Sequence, residues 1–188
     1  VLSVDGFGDF ASSAWGLGID NTININKQIF FPHSLGIFYT AITQFLGFPN
    51  YGDEYKVMGL APYGNNCFEE EISNLLYLKE KGEFQLNLDY FNHTKNWKAQ
   101  KWDKLSPKIE IQYNEKIINL LGSPRKPNEP INNRHKDIAK STQIAYEKAF
   151  FHILNHLYSE TGLKNLSLAG GCAANSVANG KITKATPF

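Results

Sequence analysis

Apolar and polar positions alternate from the first residue. "VLSVDG" (1–6) reads as a short apolar strand running into a glycine-rich turn, and "SSAWGLGID" and "TININKQIFF" follow with partial alternation across a "DN" turn. Period-2 patterning with turn residues between the runs predicts a three-stranded meander. The period then changes. "PHSLGIFYTAITQFLGF" (32–48) carries Leu35, Phe38, Tyr39, Ile42, Phe45 and Leu46 on one helical face, with proline at its start and glycine near its end, as expected of a core helix. "GDEYKVMGLAPYG" (52–64) predicts a short helix broken by the Gly59 to Gly64 stretch, and "FEEEISNLLYL" (68–78) a helix opened by acidic residues.

From Lys79 to Pro130 the chain turns polar and aromatic. "GEFQLNLDYF" is expected as a strand, "IEIQYNEKIINLLG" as a helix and "SPRKPNEP" as a proline-rich stop, so 79–130 reads as an insertion or lid-like excursion. "HKDIAKSTQIAYEKAFFHILNHLYSETG" (135–162) keeps a period near 3.6 and closes on glycine, predicting the longest helix. "NLSLAGG" is expected as a buried strand and "NSVANGKITKA" as the last helix. Strands, then helices, then a strand–helix unit predict a mixed α/β arrangement. The 188 residues are expected to form a single partial domain with the excursion inside it.

Composition narrows the class. The chain is 42% hydrophobic and 13% aromatic, enough for a core. Nineteen basic against eighteen acidic residues give a net charge of +1, which leaves no overall electrostatic footprint for nucleic acid or an anionic membrane. Cys67 and Cys172 are far apart without metal-ligand spacing, and no signal-peptide pattern or long apolar run occurs, so a reducing cytoplasm is expected. The chain starts without methionine inside a strand and stops just after a helix; it is expected to be a piece whose active site extends outside it.

Two junctions carry candidate chemistry. In "VDGFGD" (4–9), Asp5 at a strand end is a candidate metal ligand, and the backbone of Gly6 to Gly8 is open to phosphate oxygens. A plain β-turn of favoured residues is the alternative. In "LAGGCAANSVANGKI" (168–182), Gly170 and Gly171 precede a helix N-terminus that suits an anion, and Asn175 and Asn179 share a helical face; an ordinary strand-to-helix turn is the alternative. Neither junction is a GxGxxG fingerprint or a Walker A loop. Lys56, beside Asp53 and Glu54, is a candidate cation for phosphate, and His33 caps the helix after it or faces a cleft. His152 and His156 have metal-pair spacing, but they border the stripe of Ala145, Ala149 and Ile153 and read as structural. "KNWKAQKWDK" (95–104) reads as a solvated surface.

Taken in order, "VDGFGD", "PHSLGIFYTAITQFLGF", "GDEYKVMGLAPYG", "SPRKPNEPINNRHKDIAKSTQIAYE" and "NLSLAGGCAANSVANGKI" resemble the large N-terminal domain of the O-carbamoyltransferases of nodulation-factor and antibiotic tailoring. That family is similar in this domain to the tRNA threonylcarbamoyl transferases. The resemblance implies part, mainly the second half, of an actin/Hsp70/sugar-kinase-like ATPase fold, a mixed sheet flanked by helices. It implies carbamoyl transfer from carbamoyl phosphate through an ATP-derived carbamoyl-adenylate to a hydroxyl of a small molecule or sugar. It further implies a divalent metal, iron, with Asp5 as one ligand and the others outside this chain, and nucleotide contacts at Gly6, Gly8, Gly170, Gly171, Asn175 and, with a less defined role, Lys56. Asp9 stands where the family commonly has glutamate and Cys172 where it commonly has valine. The isolated piece is expected to be inactive and to bind ATP weakly or not at all. A non-catalytic ATP-binding module and a sugar kinase of the same fold are the alternatives.

Overall fold

The computed structural model describes residues 1–95, 101–103 and 106–188. The expected meander is present: β1 (Leu2–Gly8), β2 (Ala11–Ile19) and β3 (Thr22–Phe30) run antiparallel in turn. After them come α1 (Leu35–Phe45), α2 (Glu54–Leu60), α3 (Glu69–Ser73) and the short paired strands β4 (Leu76–Leu78) and β5 (Phe84–Leu86). A second small hairpin, β6 (Lys101–Asp103) and β7 (Ser106–Lys108), precedes α4 (Glu115–Leu121). The long helix α5 (Asn133–Thr161) leads to β8 (Leu168–Ala169), α6 (Ser176–Asn179) and α7 (Ile182–Ala185).

The chain divides into two compact units, 1–36 with 77–86 and 146–188, and 37–76 with 87–145. The first holds a four-stranded mixed sheet of order β3-β2-β1-β8. Its last pair is parallel, Leu2 opposite Leu168 and Ser3 opposite Ala169. Leu2, Val4 and Trp15 are fully buried on one face, and the stretch of α5 belonging to this unit contributes buried Ala149, Phe150, Ile153 and Leu154. The Trp15 ring meets His156 edge-on at 6.4 Å. Helix on sheet satisfies both apolar faces, so the α/β class follows directly from the two periods.

The second unit is helical in its core, with Phe38, Ile42, Phe45, Val57, Ile72, Ile117 and Ile138 buried. At its centre lies a charge. Arg125 is buried, donating from Nε to the Leu46 carbonyl at 2.6 Å and from its other nitrogens to the carbonyls of Gly47, Pro127 and Glu129. Its guanidinium carbon stands 4.7 Å from the centre of the Phe48 ring. Dipoles of four carbonyls and a ring face therefore compensate a desolvated cation.

Several expected elements come out shorter. "FEEEISNLLYL" is helical only to Ser73, and Leu76–Leu78 leaves the helix to pair with β5. The strand in "GEFQLNLDYF" stops at Leu86, because the Asn87 side chain accepts from the Asp89 N–H and starts a helical turn over Leu88–Tyr90. "NLSLAGG" pairs over Leu168–Ala169 alone, and these residues are half-buried to exposed rather than buried. The last predicted helix is two, separated by Gly180. Of "KNWKAQKWDK", residues 96–100 and 104 lie outside the described residues.

Replacing Arg125 by alanine strands four carbonyls and opens a void, and is expected to destabilise this unit by about 3 kcal/mol in denaturant titration. Arg125→Lys is expected to recover little of this, since one ammonium cannot reproduce the planar fork.

Candidate functional site

Both candidate junctions lie in the first unit, and they touch. The expected strand end at Asp5 is not there: β1 runs on to Gly8, because Gly8 still pairs with Ala11 beyond an irregular step after Val4, so Asp5 lies within the strand, and the turn after β8 brings Gly170 and Gly171 against it. A side chain at Gly170 would put its Cβ 2.2 Å from the Val4 carbonyl oxygen, and the residue's φ is +92°, so glycine is required twice over. A Cβ on Gly171 would stand 3.3 Å from Asp5 Oδ1. The bare backbone of one junction is thus held next to the carboxylate of the other.

A third segment closes on the same place. Ser34 Oγ donates to the Gly6 carbonyl at 2.7 Å, tying the start of α1 to the end of β1. Gly36 packs so closely that a Cβ there would lie 2.7 Å from Gly6 Cα and 3.1 Å from Cys172 Sγ. From the far side, the buried Tyr146 on α5 donates its hydroxyl to the Cys172 carbonyl at 2.7 Å. Glu147, also buried, holds Lys181 Nζ with both carboxylate oxygens at 2.6 and 2.7 Å, anchoring the segment between α6 and α7. None of Ser34, Gly36, Tyr146 or Glu147 stood out in the sequence as a site residue; the Ser–x–Gly step after "PH" is the one local signal available.

The candidate residues divide by how they are used. Asp5 is exposed, and its Oδ1 accepts the Gly6 N–H at 2.7 Å, so that amide is engaged by the carboxylate. A Cβ built on Gly6 or Gly8 meets nothing within 4 Å, which leaves the outer side of this turn open to an approaching group. Asn175 is the N-cap of α6, its Oδ1 accepting from the Ala178 N–H at 3.0 Å. Asn179 closes that four-residue helix and donates to the Ala173 carbonyl. The two asparagines therefore serve the turn's own backbone first.

Lys56 belongs to the other unit. Its Nζ is 2.6 Å from Asp53 Oδ1, and this hydrogen-bonded ion pair raises its pKa. His33 faces neither role expected of it at the helix start: its Nδ1 accepts the Leu86 N–H at 3.2 Å, and Ser12 Oγ donates to its carbonyl at 2.5 Å. Burial lowers its pKa. His152 and His156 have separate partners, the Lys79 carbonyl for the first and Glu160 for the second, as a structural role requires. Among the described residues no group of three or more His, Cys, Asp and Glu side chains could hold a metal ion.

Comparison with known proteins agrees with the order of the motifs. A family model described as the carbamoyltransferase N-terminus matches residues 1–188. An uncharacterized protein of Synechocystis is 40% identical over all of this chain and 29% of its own length. Nodulation protein NolNO of Sinorhizobium fredii is 35% identical over all of this chain and 24% of its length, and nodulation protein NolO of Bradyrhizobium diazoefficiens 33% identical over 97% of this chain and 29% of its length. The chain thus spans 24 to 29% of the length of these relatives.

Gly170→Ala is expected to destabilise the first unit by at least about 2 kcal/mol, from backbone strain and the collision with Val4, and thermal unfolding checks this. For His33 the folded pKa lies below its ordinary value of 6.5. The unfolded chain therefore binds the proton first, and stability should fall as pH drops through that value. His33→Asn, which keeps an acceptor for Leu86 without titrating, is expected to flatten the stability profile between about pH 7 and 5.

Proposed function

The chain belongs to the carbamoyltransferase N-terminal family, and from that premise we propose that it forms part of an ATP-dependent O-carbamoyltransferase. In this reading water releases phosphate from carbamoyl phosphate, and an oxygen of the resulting carbamate displaces pyrophosphate from the α-phosphorus of ATP to give a carbamoyl-adenylate. An acceptor hydroxyl oxygen then attacks the carbonyl carbon, the bond to the adenylate oxygen breaks, and AMP leaves as the hydroxyl proton is lost. The scaffold would be part of an actin/Hsp70/sugar-kinase-like ATPase core, a reading supported by the mixed sheet with its parallel β1–β8 edge.

One observation carries the reading. The glycine turn at Gly170–Gly171 is packed against β1, so that backbone without side chains adjoins the Asp5 carboxylate. Such a junction suits a ligand of phosphate and sugar, which needs close backbone approach and few bulky neighbours. Gly6 and Gly8 would face its phosphates, Gly170 and Gly171 its nucleotide part, and Asn175 would fix the entry of α6 beside it. The family resemblance also implies a nucleotide contact for Lys56, whose ammonium is held by Asp53 at 2.6 Å. Positioning is the main contribution expected of such residues.

A divalent ion fits only in part. Asp5 offers one exposed carboxylate, too few donors for a site by itself, so Asp5 would be one ligand among others supplied outside residues 1–188. When bound, such an ion would polarise the carbonyl and phosphate oxygens. Cys67 and Cys172 are in no disulfide, which suits a reducing compartment such as the cytoplasm, and among the described residues no helix is long and apolar enough to cross a membrane.

The test is turnover by the full-length protein with carbamoyl phosphate, ATP and a panel of sugars and other hydroxyl compounds. One AMP released for each carbamoylated product is expected, and Asp5→Asn should reduce turnover at least about a hundredfold. ADP as the sole nucleotide product, with a phosphorylated sugar, would replace this reading by kinase chemistry. ATP binding without any product would leave a nucleotide-binding module.

A further inference from the structure

One edge of the sheet is unguarded. β3 is the outer strand of the order β3-β2-β1-β8, and among the described residues no strand lies on its other side. Edges are usually protected by charge, proline or a bulge. Here "NTININ" (21–26) is exposed throughout with neither charge nor proline, the irregular step in its pairing with β2 comes only after Ile25, and Lys27 is held by Glu83. Ile23 is 63% and Ile25 49% exposed; they stand opposite Gly18 and Gly16, which offer no side chain to cover them.

The backbone of this stretch has a definite direction. Ile19 and Thr22 pair across a two-residue loop, and a Cβ on Gly16 would stand 1.9 Å from the Asn24 carbonyl oxygen, so Thr22 and Asn24 turn their polar groups toward β2. By alternation Ile23 and Ile25 turn theirs outward, where the sheet supplies no partner. The sequence is also symmetric about Asn24, with isoleucine on either side and then Thr22 and Asn26. An antiparallel copy related by a two-fold axis through Asn24 sets Ile23 opposite Ile25 of that copy and the reverse, and each pair exchanges two hydrogen bonds through its outward groups. Asn24 meets its own copy at the axis, where a carboxamide is donor and acceptor at once. Lys27 falls opposite Asn21, so no like charges meet. A register centred on Ile25 would set Lys27 against Ile23, and one centred on Ile23 would set Ile25 against Asn21. A two-fold contact must be self-complementary, and this edge meets that condition in one register, whereas an unrelated strand would find backbone groups alone.

We propose that the β3 edge, residues 22–26, is an interaction surface for a second copy of this chain, the two β3 strands pairing antiparallel about Asn24 so that the sheets of both copies become continuous. Four isoleucines then cover one another on one face, and the two Asn24 carboxamides bond across the axis on the other. The proposal goes beyond the carbamoyl-transfer reading and stands without it.

The test is sedimentation velocity of the full-length protein over a concentration series. A dimer dissociating on the order of 10 μM is expected, since so short an edge makes a small interface. Ile25→Pro removes an outward N–H, a position at which an edge strand accepts proline. It should raise the dissociation constant at least about tenfold, with little change in the melting midpoint of the monomer. Cysteine cross-linking reads the register, in a Cys67→Ser background because Cys67 is exposed. Residues facing each other without backbone hydrogen bonds lie about 4.5 Å apart at Cα, within reach of a disulfide. Mild oxidation should therefore link two copies of Asn24→Cys and leave Asn26→Cys, which faces Thr22 of the other copy, unlinked. A mass that stays monomeric through about 100 μM overturns the proposal. So does a dimer that keeps its affinity in Ile25→Pro, or one that Asn26→Cys links and Asn24→Cys does not. Slow amide exchange at Ile23 and Ile25 in a monomer would show the edge covered by the same chain, and overturns it as well. Should Ile25→Pro fail to fold, the cross-linking pair decides.

Discussion

The first unit depends on one contact between backbones: the turn after β8 lies so close to the Val4 carbonyl that only a residue without Cβ fits at Gly170. β8 offers just two residues to the ladder, Leu168 and Ala169, with the Leu2 N–H reaching the Ser167 carbonyl beyond them. So short a parallel pairing is weak in hydrogen bonds alone. Close approach at Gly170, the Tyr146 bond to Cys172 and the Glu147–Lys181 pair supply the rest of the hold on this segment. The last two of these come from the first turns of α5 in this unit. The helix therefore acts as the wall against which the glycine turn is set.

The junction is unusual in what it lacks. Among the described residues no metal-holding cluster of His, Cys, Asp and Glu forms there, and its defining features are two glycines, a serine hydroxyl on a carbonyl and one carboxylate holding a neighbouring amide. A site of that composition orients and admits a ligand more than it performs proton transfer.

Much of this was legible in the sequence, for physical reasons that differ by element. The meander, α1 and α5 are long enough for their apolar period to outweigh local competition, and α5 in the structure differs from the expected 135–162 by two residues at its start and one at its end. Short segments went the other way. "NSVANGKITKA" has a helical period, but Asn175 and Gly180 interrupt it, and a four-residue helix is fixed by caps that periodicity does not register. "NLSLAGG" looks buried from composition, and its exposure comes from tertiary position. The glycines at 170 and 171 were recognisable as a turn; that the turn meets Asp5 depends on a pairing between residues more than 160 positions apart, which no local pattern encodes. Arg125 carried no signal, because a buried cation bound by carbonyls looks in sequence like any surface arginine.

That long-range pairing also sets the order in which the units can be completed as the chain is made. The helical unit needs nothing beyond residue 145, whereas the sheet unit draws on residues 1–36, 77–86 and 146–188. Of these three segments the meander emerges first and waits, its β1 edge without the strand that will pair there and its β3 edge carrying exposed Ile23 and Ile25. Pairings of high sequence separation form slowly, and unpaired strand edges recruit foreign strands. Of the segments of this unit, the one made first is thus the last to be finished, and any factor that shields nascent strands would act on it during that interval.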